Sequence, residues 1–308
     1  MTIQQLFRTA PVTTLLLISF IGLFIVQVLS GVDANNPSTE ALLNWGANAL
    51  PYTMGDEPWR LVSSAFLHIG LMHLLFNGFA MYFFGQIAEP MFGSVKFFAL
   101  FLLAAIGGNL LNSHVTWQGI LDETTQPGIS AGASGGIMGI GAALLIATLF
   151  KMSVNGMVLN LRSLILIMGI NLVYGFAVPG IDNAGHIGGA LTGLVIALGI
   201  GIAHRQRTIA LKASMPTYQT HYVNYPSSSN IYADNDSHIP VNSAINTDVN
   251  AAYVDVKNKA KSATPTTIKP AIMWRLLPWI VMLLVTIAFV WWWQDIHNQI
   301  IQILSAIK

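Results

Sequence analysis

The chain contains no cysteine, which removes disulfides, thiolate nucleophiles and thiolate-held metals at once. Charge is almost as scarce: Asp, Glu, Lys and Arg make up 9% of the 308 residues, against roughly 25% in an ordinary soluble domain. The two signs nearly cancel, and no run of Lys or Arg is long enough to track a phosphate backbone, so nucleic acid is not an expected partner. Short segments of alternating hydrophobicity are missing too, which sets aside a β-barrel. What remains is apolar. Hydrophobic residues reach 54% and mean hydropathy is +0.60, the composition of an integral membrane protein.

Charge-free stretches of about 20 residues, the length of a span, begin near Pro11, Phe66, Phe97, Ser134, Ser163, Gly185 and Leu276. A backbone at lipid depth must bond within itself, so the expected architecture is all-α. It comprises a six-helix bundle over residues 1–205, a linker over 206–270, and a seventh span with a short tail over 271–308. The first run exceeds a signal-peptide core and no cleavage site follows it, so it is read as a retained span. The linker holds Pro226-Ser227-Ser228-Ser229-Asn230 and no sustained periodicity, and is expected to be disordered. Lys257, Lys259 and Lys261 near its end fit a solvated segment better than a lipid contact. Trp291, Trp292 and Trp293 read as an interfacial belt on the seventh span. Ile296, Ile300, Ile303, Leu304 and Ile307 recur at helical spacing, as in a short amphipathic helix lying on the surface.

Arg8, Lys96, Lys151, Arg162, Arg205, Arg207 and Lys212 gather on one side of these spans. Asp33, Glu40, Asp56, Glu57, Asp122, Glu123 and Asp182 gather on the other, with Arg60 the only basic residue there. The bias places the N-terminus in the cytoplasm, and a multi-pass protein of a bacterial inner (plasma) membrane is expected. Spans two, four and six then run inward. His68, His73 and Asn77 open the second, Ser134 the fourth and His186 the sixth. At about 1.5 Å per residue, all five fall in the outer half of the bilayer. Polar groups are costly there, so their shared depth points to a site.

Gly132-x-Ser134-x-Gly136 has the form of a nucleophile elbow, but that motif needs a strand before it, and none is expected. Gly132/Gly136 and Gly135/Gly139 fit close helix packing equally well, as do Gly189 and Gly193 after His186. A serine beside a neutral imidazole is an activated nucleophile. No carboxylate shares their depth: Asp182 is placed in a loop and Glu89 at the far end of the second span. A dyad is therefore expected, its imidazole oriented by packing and by neighbours such as Asn183. His73 and Asn77 share a helical face and suit the stabilisation of an oxyanion, where one donor contributes about 3–4 kcal/mol. They suit a metal poorly, since no carboxylate joins them and Asn is a weak ligand. No cofactor and no metal are expected.

Trp59-Arg60, His68-Ile-Gly-Leu-Met-His73-Leu-Leu-Phe-Asn77, Gly85, Glu89, Gly93, Gly132-Ala-Ser134-Gly, and Gly185-His186 with Gly189 and Gly193 follow in that order. Over about residues 1–205 this pattern resembles the rhomboid intramembrane serine proteases. The resemblance implies that Ser134 is the nucleophile and His186 the base, with His73, Asn77 and the Ser134 backbone N–H as oxyanion hole. It further implies His68 at the mouth of the site, Trp59 and Arg60 anchoring the first outer loop, and Glu89 the inner end of the second span. The seventh span resembles the six-plus-one members. Four residues past the serine the family usually has an aromatic ring against the histidine. Met138 stands there, and its thioether is expected to preserve the orientation.

The implied partners are single-span membrane proteins, cleaved in or near their transmembrane segments, and the lipid bilayer. A non-catalytic rhomboid-like factor that binds membrane proteins is the alternative, against which the serine and histidine together argue. A solute channel is disfavoured because residues 142–149 and 194–202 are apolar. Every reactive residue precedes Arg205, so the seventh helix is expected to be dispensable for chemistry and free to dock in more than one place.

Overall fold

A computed structural model describes residues 3–153, 162, 164–166, 168–169, 173, 182–213 and 271–307. The chain starts with a short helix, α1 (Ile3–Thr9), and a first span, α2 (Pro11–Leu29), whose proline occupies the first helical turn, where its missing N–H costs nothing. The start of α2 is met by the carboxylate of Glu89, which accepts from the Val12 N–H at 2.9 Å, the Thr13 N–H at 2.7 Å and the Thr13 hydroxyl at 2.8 Å. A carboxylate at that end also complements the helix dipole. Glu89 takes a further bond from the Ser94 hydroxyl at 2.6 Å, and so ties three segments together at the far end of the second span.

The loop after α2 is built rather than loose. It carries α3 (Thr39–Asn44), started by the Ser38 hydroxyl accepting from the Ala41 N–H, then β1 (Asn48–Ala49), α4 (Leu50–Thr53), α5 (Arg60–Ser63) and a 3-10 turn over Ser64–Phe66. Arg60 is buried at its centre. Its Nη1 donates to Leu43 O at 2.7 Å and Ala47 O at 3.0 Å, its Nε pairs with Glu57, and its guanidinium lies over the rings of Trp59 and Tyr52. Such a group anchors a loop by satisfying carbonyls that would otherwise lack donors.

The remaining elements are α6 (Leu71–Phe92), α7 (Ser94–Leu121), β2 (Ile129–Ser130), α8 (Ser134–Leu149), α9 (Asn183–Ala213) and α10 (Met273–Ile307). Five of the described helices, α2, α6, α7, α9 and α10, are long and apolar enough to cross a membrane. The chain is an all-α multi-pass membrane protein. Its core lies where Phe20, Phe97, Leu100, Phe101, Ile140, Leu144 and Ile196 meet, all essentially without exposure. β1 and β2 form a two-residue antiparallel bridge, with Asn48 opposite Ser130 and Ala49 opposite Ile129. The chain divides into two compact units, Met1–Arg205 with Ala271–Lys308, and Gln206–Pro270. Of the second unit only 206–213, the end of α9, is described.

Several boundaries differ from the expected ones. The second span starts at Leu71 rather than Phe66, because 60–66 are consumed by two tight turns and Gly70 takes φ +91 before the helix opens. The third starts at Ser94. The seventh does not end in a separate surface helix: α10 runs unbroken for 35 residues, about 52 Å at 1.5 Å per residue. The first apolar residues of its tail cover protein instead, with Ile296 fully buried and Ile300 packed in the cluster of Leu50, Met54 and Trp117, whereas Ile303 and Leu304 stay exposed. The fifth span expected from Ser163 lies mostly outside the described residues, and 214–270 lies wholly outside them.

Candidate active site

α8 and α9 meet backbone to backbone. A Cβ added to Gly189 would overlap Gly135 O, one added to Gly193 would overlap Gly139 O, and one added to Gly135 would stand 3.2 Å from Gly185 O. α7 closes on the same seam, since a Cβ on Gly108 would stand 2.5 Å from Gly185 O and one on Gly188 equally close to Gly107 O. Small residues at four-residue spacing allow this approach. The outcome is that Gly185 and His186 are held beside Ser134 and Gly135 by contacts with no side chain between them.

The loop that delivers the serine is fixed from the other side. The Gly132 N–H donates to Ser64 O at 2.9 Å. Gly132 has φ +137, and a Cβ there would stand 2.6 Å from His73 Cε1, 2.8 Å from His73 Nε2 and 3.6 Å from Asn77 Nδ2. Both the backbone angle and the space require glycine. His73 Nδ1 accepts from the Ile69 N–H at 3.3 Å, so in the neutral ring the proton sits on Nε2, the nitrogen beside Gly132. Buried Asn77 donates one amide hydrogen to His73 O at 3.2 Å and keeps the second. Ser134 is the first residue of α8, and its N–H is among those a helix leaves unpaired at its start. The His73 and Asn77 donors thus lie against Gly132, two residues before the serine.

Asp182 proves to be a cap rather than part of a free loop. Its Oδ1 accepts from the Gly185 N–H at 2.7 Å and its backbone O from the His186 N–H at 3.1 Å, starting α9 as an N-cap aspartate does. Among the described residues no hydrogen bond joins His186 to Ser134, and His186 Nδ1 and Asn183 Oδ1 are buried without partners. Asn183 therefore supplies no hydrogen bond that orients the ring. In ligand-free hydrolases the nucleophile–base bond is commonly long and tightens when substrate is bound.

The supporting residues take distinct places. His68 is 2% exposed, with both ring nitrogens unpartnered, and packs on Phe20 (5.2 Å) and His73 (5.4 Å). It lies behind His73, not at an open mouth. Met138 is buried with Ala142 and Met168 against Ala190 and Leu194, one turn along α9 from His186. Trp59 is half exposed, its ring over Gly46 and the Arg60 guanidinium. Among the described residues no group of three or more His, Asp or Glu converges as a metal site.

One set of polar residues was not singled out from the sequence. Asn109 of α7 donates to Leu61 O and to Ser64 Oγ, each at 2.8 Å, and accepts from Ser130 Oγ at 3.4 Å. Asn48 Nδ2 lies 3.4 Å from both Ser130 Oγ and Asn112 Oδ1. Asn109 sits in an apolar run, and the depth argument that found His73 applies to it equally. With Gly108, Ser130, Ser134, Asp182 and Gly185 it lines a small cavity of about 20 Å³, room for one water beside the serine.

Residues 55–202 match the Rhomboid domain family. The chain is similar to Rhomboid protease GluP of Bacillus subtilis (strain 168), 36% identical over 184 residues that cover 59% of this chain and 34% of the relative. It is similar to RHOMBOID-like protein 6, mitochondrial, of Arabidopsis thaliana, 33% identical over 162 residues, 52% of this chain and 50% of the relative. It is also similar to Rhomboid protease AarA of Providencia stuartii, 30% identical over 215 residues, 64% of this chain and 75% of the relative. The chain thus spans half or less of the length of the first two and three quarters of the third.

Proposed function

Because the chain belongs to the rhomboid family, we propose that it is an intramembrane serine endopeptidase. Its substrates are membrane proteins, single-span ones among them, cleaved in or near their transmembrane segments. The observation that carries the reading is the double lodging of the serine loop, with Gly132 against His73 and Asn77 and Gly135 against Gly185.

The chemistry follows from those places. Ser134 Oγ attacks the scissile carbonyl while His186 takes its proton. The developing oxyanion is held by the Ser134 N–H, His73 Nε2–H and the free amide hydrogen of Asn77, donors fixed before the charge appears. His186 returns the proton to the leaving amine, and water then attacks the acyl-enzyme with His186 again as base. Asp182 is engaged in its cap, so the base works without a carboxylate partner. A fully bonded substrate helix hides its carbonyls, so it must unwind locally to be attacked.

The catalytic unit is residues 1–205, with 206–270 a linker and 271–308 an added span. The charge bias of the loops supports a cytoplasmic N-terminus, in a bacterial inner (plasma) membrane. The test is incubation of purified protein in lipid with a fluorophosphonate probe, followed by mass mapping. Labelling at Ser134, absent in Ser134→Ala, is expected. Protein that is correctly inserted yet unlabelled would favour the non-catalytic alternative.

A further inference from the structure

The contacts that fix the serine loop extend to the seventh span. α10 lies along α7, with Trp117 Nε1 donating to Gln299 Oε1 at 3.0 Å and Trp292 Nε1 to His114 Nδ1 at 3.5 Å. Two further side chains reach past α7. Trp293 Nε1 donates to Thr53 O at 2.8 Å, and His297 Nδ1 lies 2.6 Å from Met54 O, where a ring nitrogen can only be the donor. Their rings stack at 5.0 Å with an interplanar angle of 16°. Thr53 and Met54 end α4, and the last carbonyls of a helix have no partner within it. Here α10 provides the donors. The expected aromatic belt is therefore split: Trp291 is 69% exposed, whereas Trp292 and Trp293 turn inward.

The connection runs on without a gap. Leu50, the first residue of α4, follows directly on β1, and Leu50 and Met54 share a buried cluster with Ile296. β1 bridges β2, Asn48 reaches Ser130 Oγ, and two residues beyond Ser130 stands Gly132.

We infer that the end of α10, through Trp293 and His297, is a positioning element for the Ser134 loop. It clamps the Thr53–Met54 turn, which fixes β1, and β1 fixes β2 with the Gly132–Ser134 segment behind it. This reverses the expectation that a helix carrying no reactive residue is dispensable. Neither residue touches the serine, so their effect is on its placement. The part of the inference that concerns rate rests on the protease reading, and the part that concerns order does not.

The experiment uses the full chain in lipid nanodiscs, comparing wild type with a Trp293→Phe/His297→Leu double variant that keeps apolar bulk and removes both donors. Amide hydrogen exchange over 129–133 is expected to quicken at least fivefold, with α6 and α9 unchanged. Fluorophosphonate labelling at Ser134 is expected to slow at least tenfold, with substrate KM within twofold. Restoring a donor as Trp293→Phe/His297→Gln is expected to recover part of both. Should the double variant fail to insert, the single Trp293→Phe is read the same way. Faster exchange confined to 53–55, with 129–133 as in wild type, would overturn the inference. Wild-type protein that the probe does not label would count against the protease reading, and the exchange comparison would still decide this one.

Discussion

Replacing Gly189 by alanine tests the seam between α8 and α9 directly. The added Cβ would stand 2.6 Å from Gly135 C and 2.9 Å from Gly135 Cα, where ordinary contact begins near 3.4 Å. The shortfall to the carbonyl carbon is about 0.8 Å (3.4 less 2.6), that to Gly135 O is larger still, and both fall on main chain, which has no rotamer to swing aside. The helices must therefore part by at least that much. Overpacking of this kind costs about 1–3 kcal/mol, so the protein should still fold. A displacement near 1 Å between reacting groups, however, can cost about 10²-fold in rate. We expect Gly189→Ala in lipid to label with fluorophosphonate about 10²-fold more slowly, with a modest loss of unfolding resistance. Gly22→Ala is the control, since a Cβ there meets nothing within 4 Å and removes a helix-weakening glycine worth about 0.5–1 kcal/mol. Wild-type labelling by Gly189→Ala would refute the claim that this seam sets the serine–histidine spacing.

Other substitutions probe the remaining parts. Asn77→Ala is expected to lower kcat by about 10²–10³-fold with little change in KM, and a change in KM alone would assign Asn77 to ground-state binding. Asp182→Asn preserves an N-cap acceptor and should keep most of the rate, so a loss of several orders of magnitude would establish a triad. Glu89→Ala strips the partner from the buried Thr13 N–H and should destabilise by about 1–3 kcal/mol in unfolding assays, with labelling of the folded fraction retained. Backbone bonds from Asn36 and Asn35 hold the Asp33 carboxyl below the usual carboxylate range. The order this lends the 33–36 turn is full at neutral pH and lost as acid protonates it, which exchange rates at Asn35 and Asn36 below pH ~4 would report.

The spans α2, α6, α7, α9 and α10 were legible because charge is excluded from lipid, and the candidate site was picked out because His73, Asn77, Ser134 and His186 share one depth by residue count. Boundaries were less legible where polar loops enter the bundle. Phe66 continues an apolar run, yet the chain cannot carry a helix through Gly70 at φ +91. The α10 tail shows the limit of periodicity. Ile296 and Ile300 fit one stripe whether it covers lipid or protein, and the packing of Leu50, Met54 and Trp117 against them decides which, while Ile303 and Leu304 stay exposed. Asp182 illustrates another limit, since a carboxylate four residues before a histidine reads alike as orienting partner or as cap. Which it is depends on Oδ1 reaching the Gly185 N–H. Asn109 was hidden for a different reason: its partners are a carbonyl and two serines from segments far away in the chain.

The glycine seam also has a thermodynamic consequence. Ordering a leucine or methionine at a helix interface sacrifices rotamer entropy, whereas glycine has none to surrender. The contacts of Gly135 with Gly185 and Gly189, and of Gly139 with Gly193, thus form without that cost and hold no population of alternative rotamers once formed. The α8–α9 seam beside Ser134 and His186 is in this sense already ordered. Compliance resides where bulky side chains meet little protein, as along α6 with Phe76, Phe79 and Phe83. Thermal motion of those side chains can proceed while the spacing of the α8 and α9 backbones stays constant.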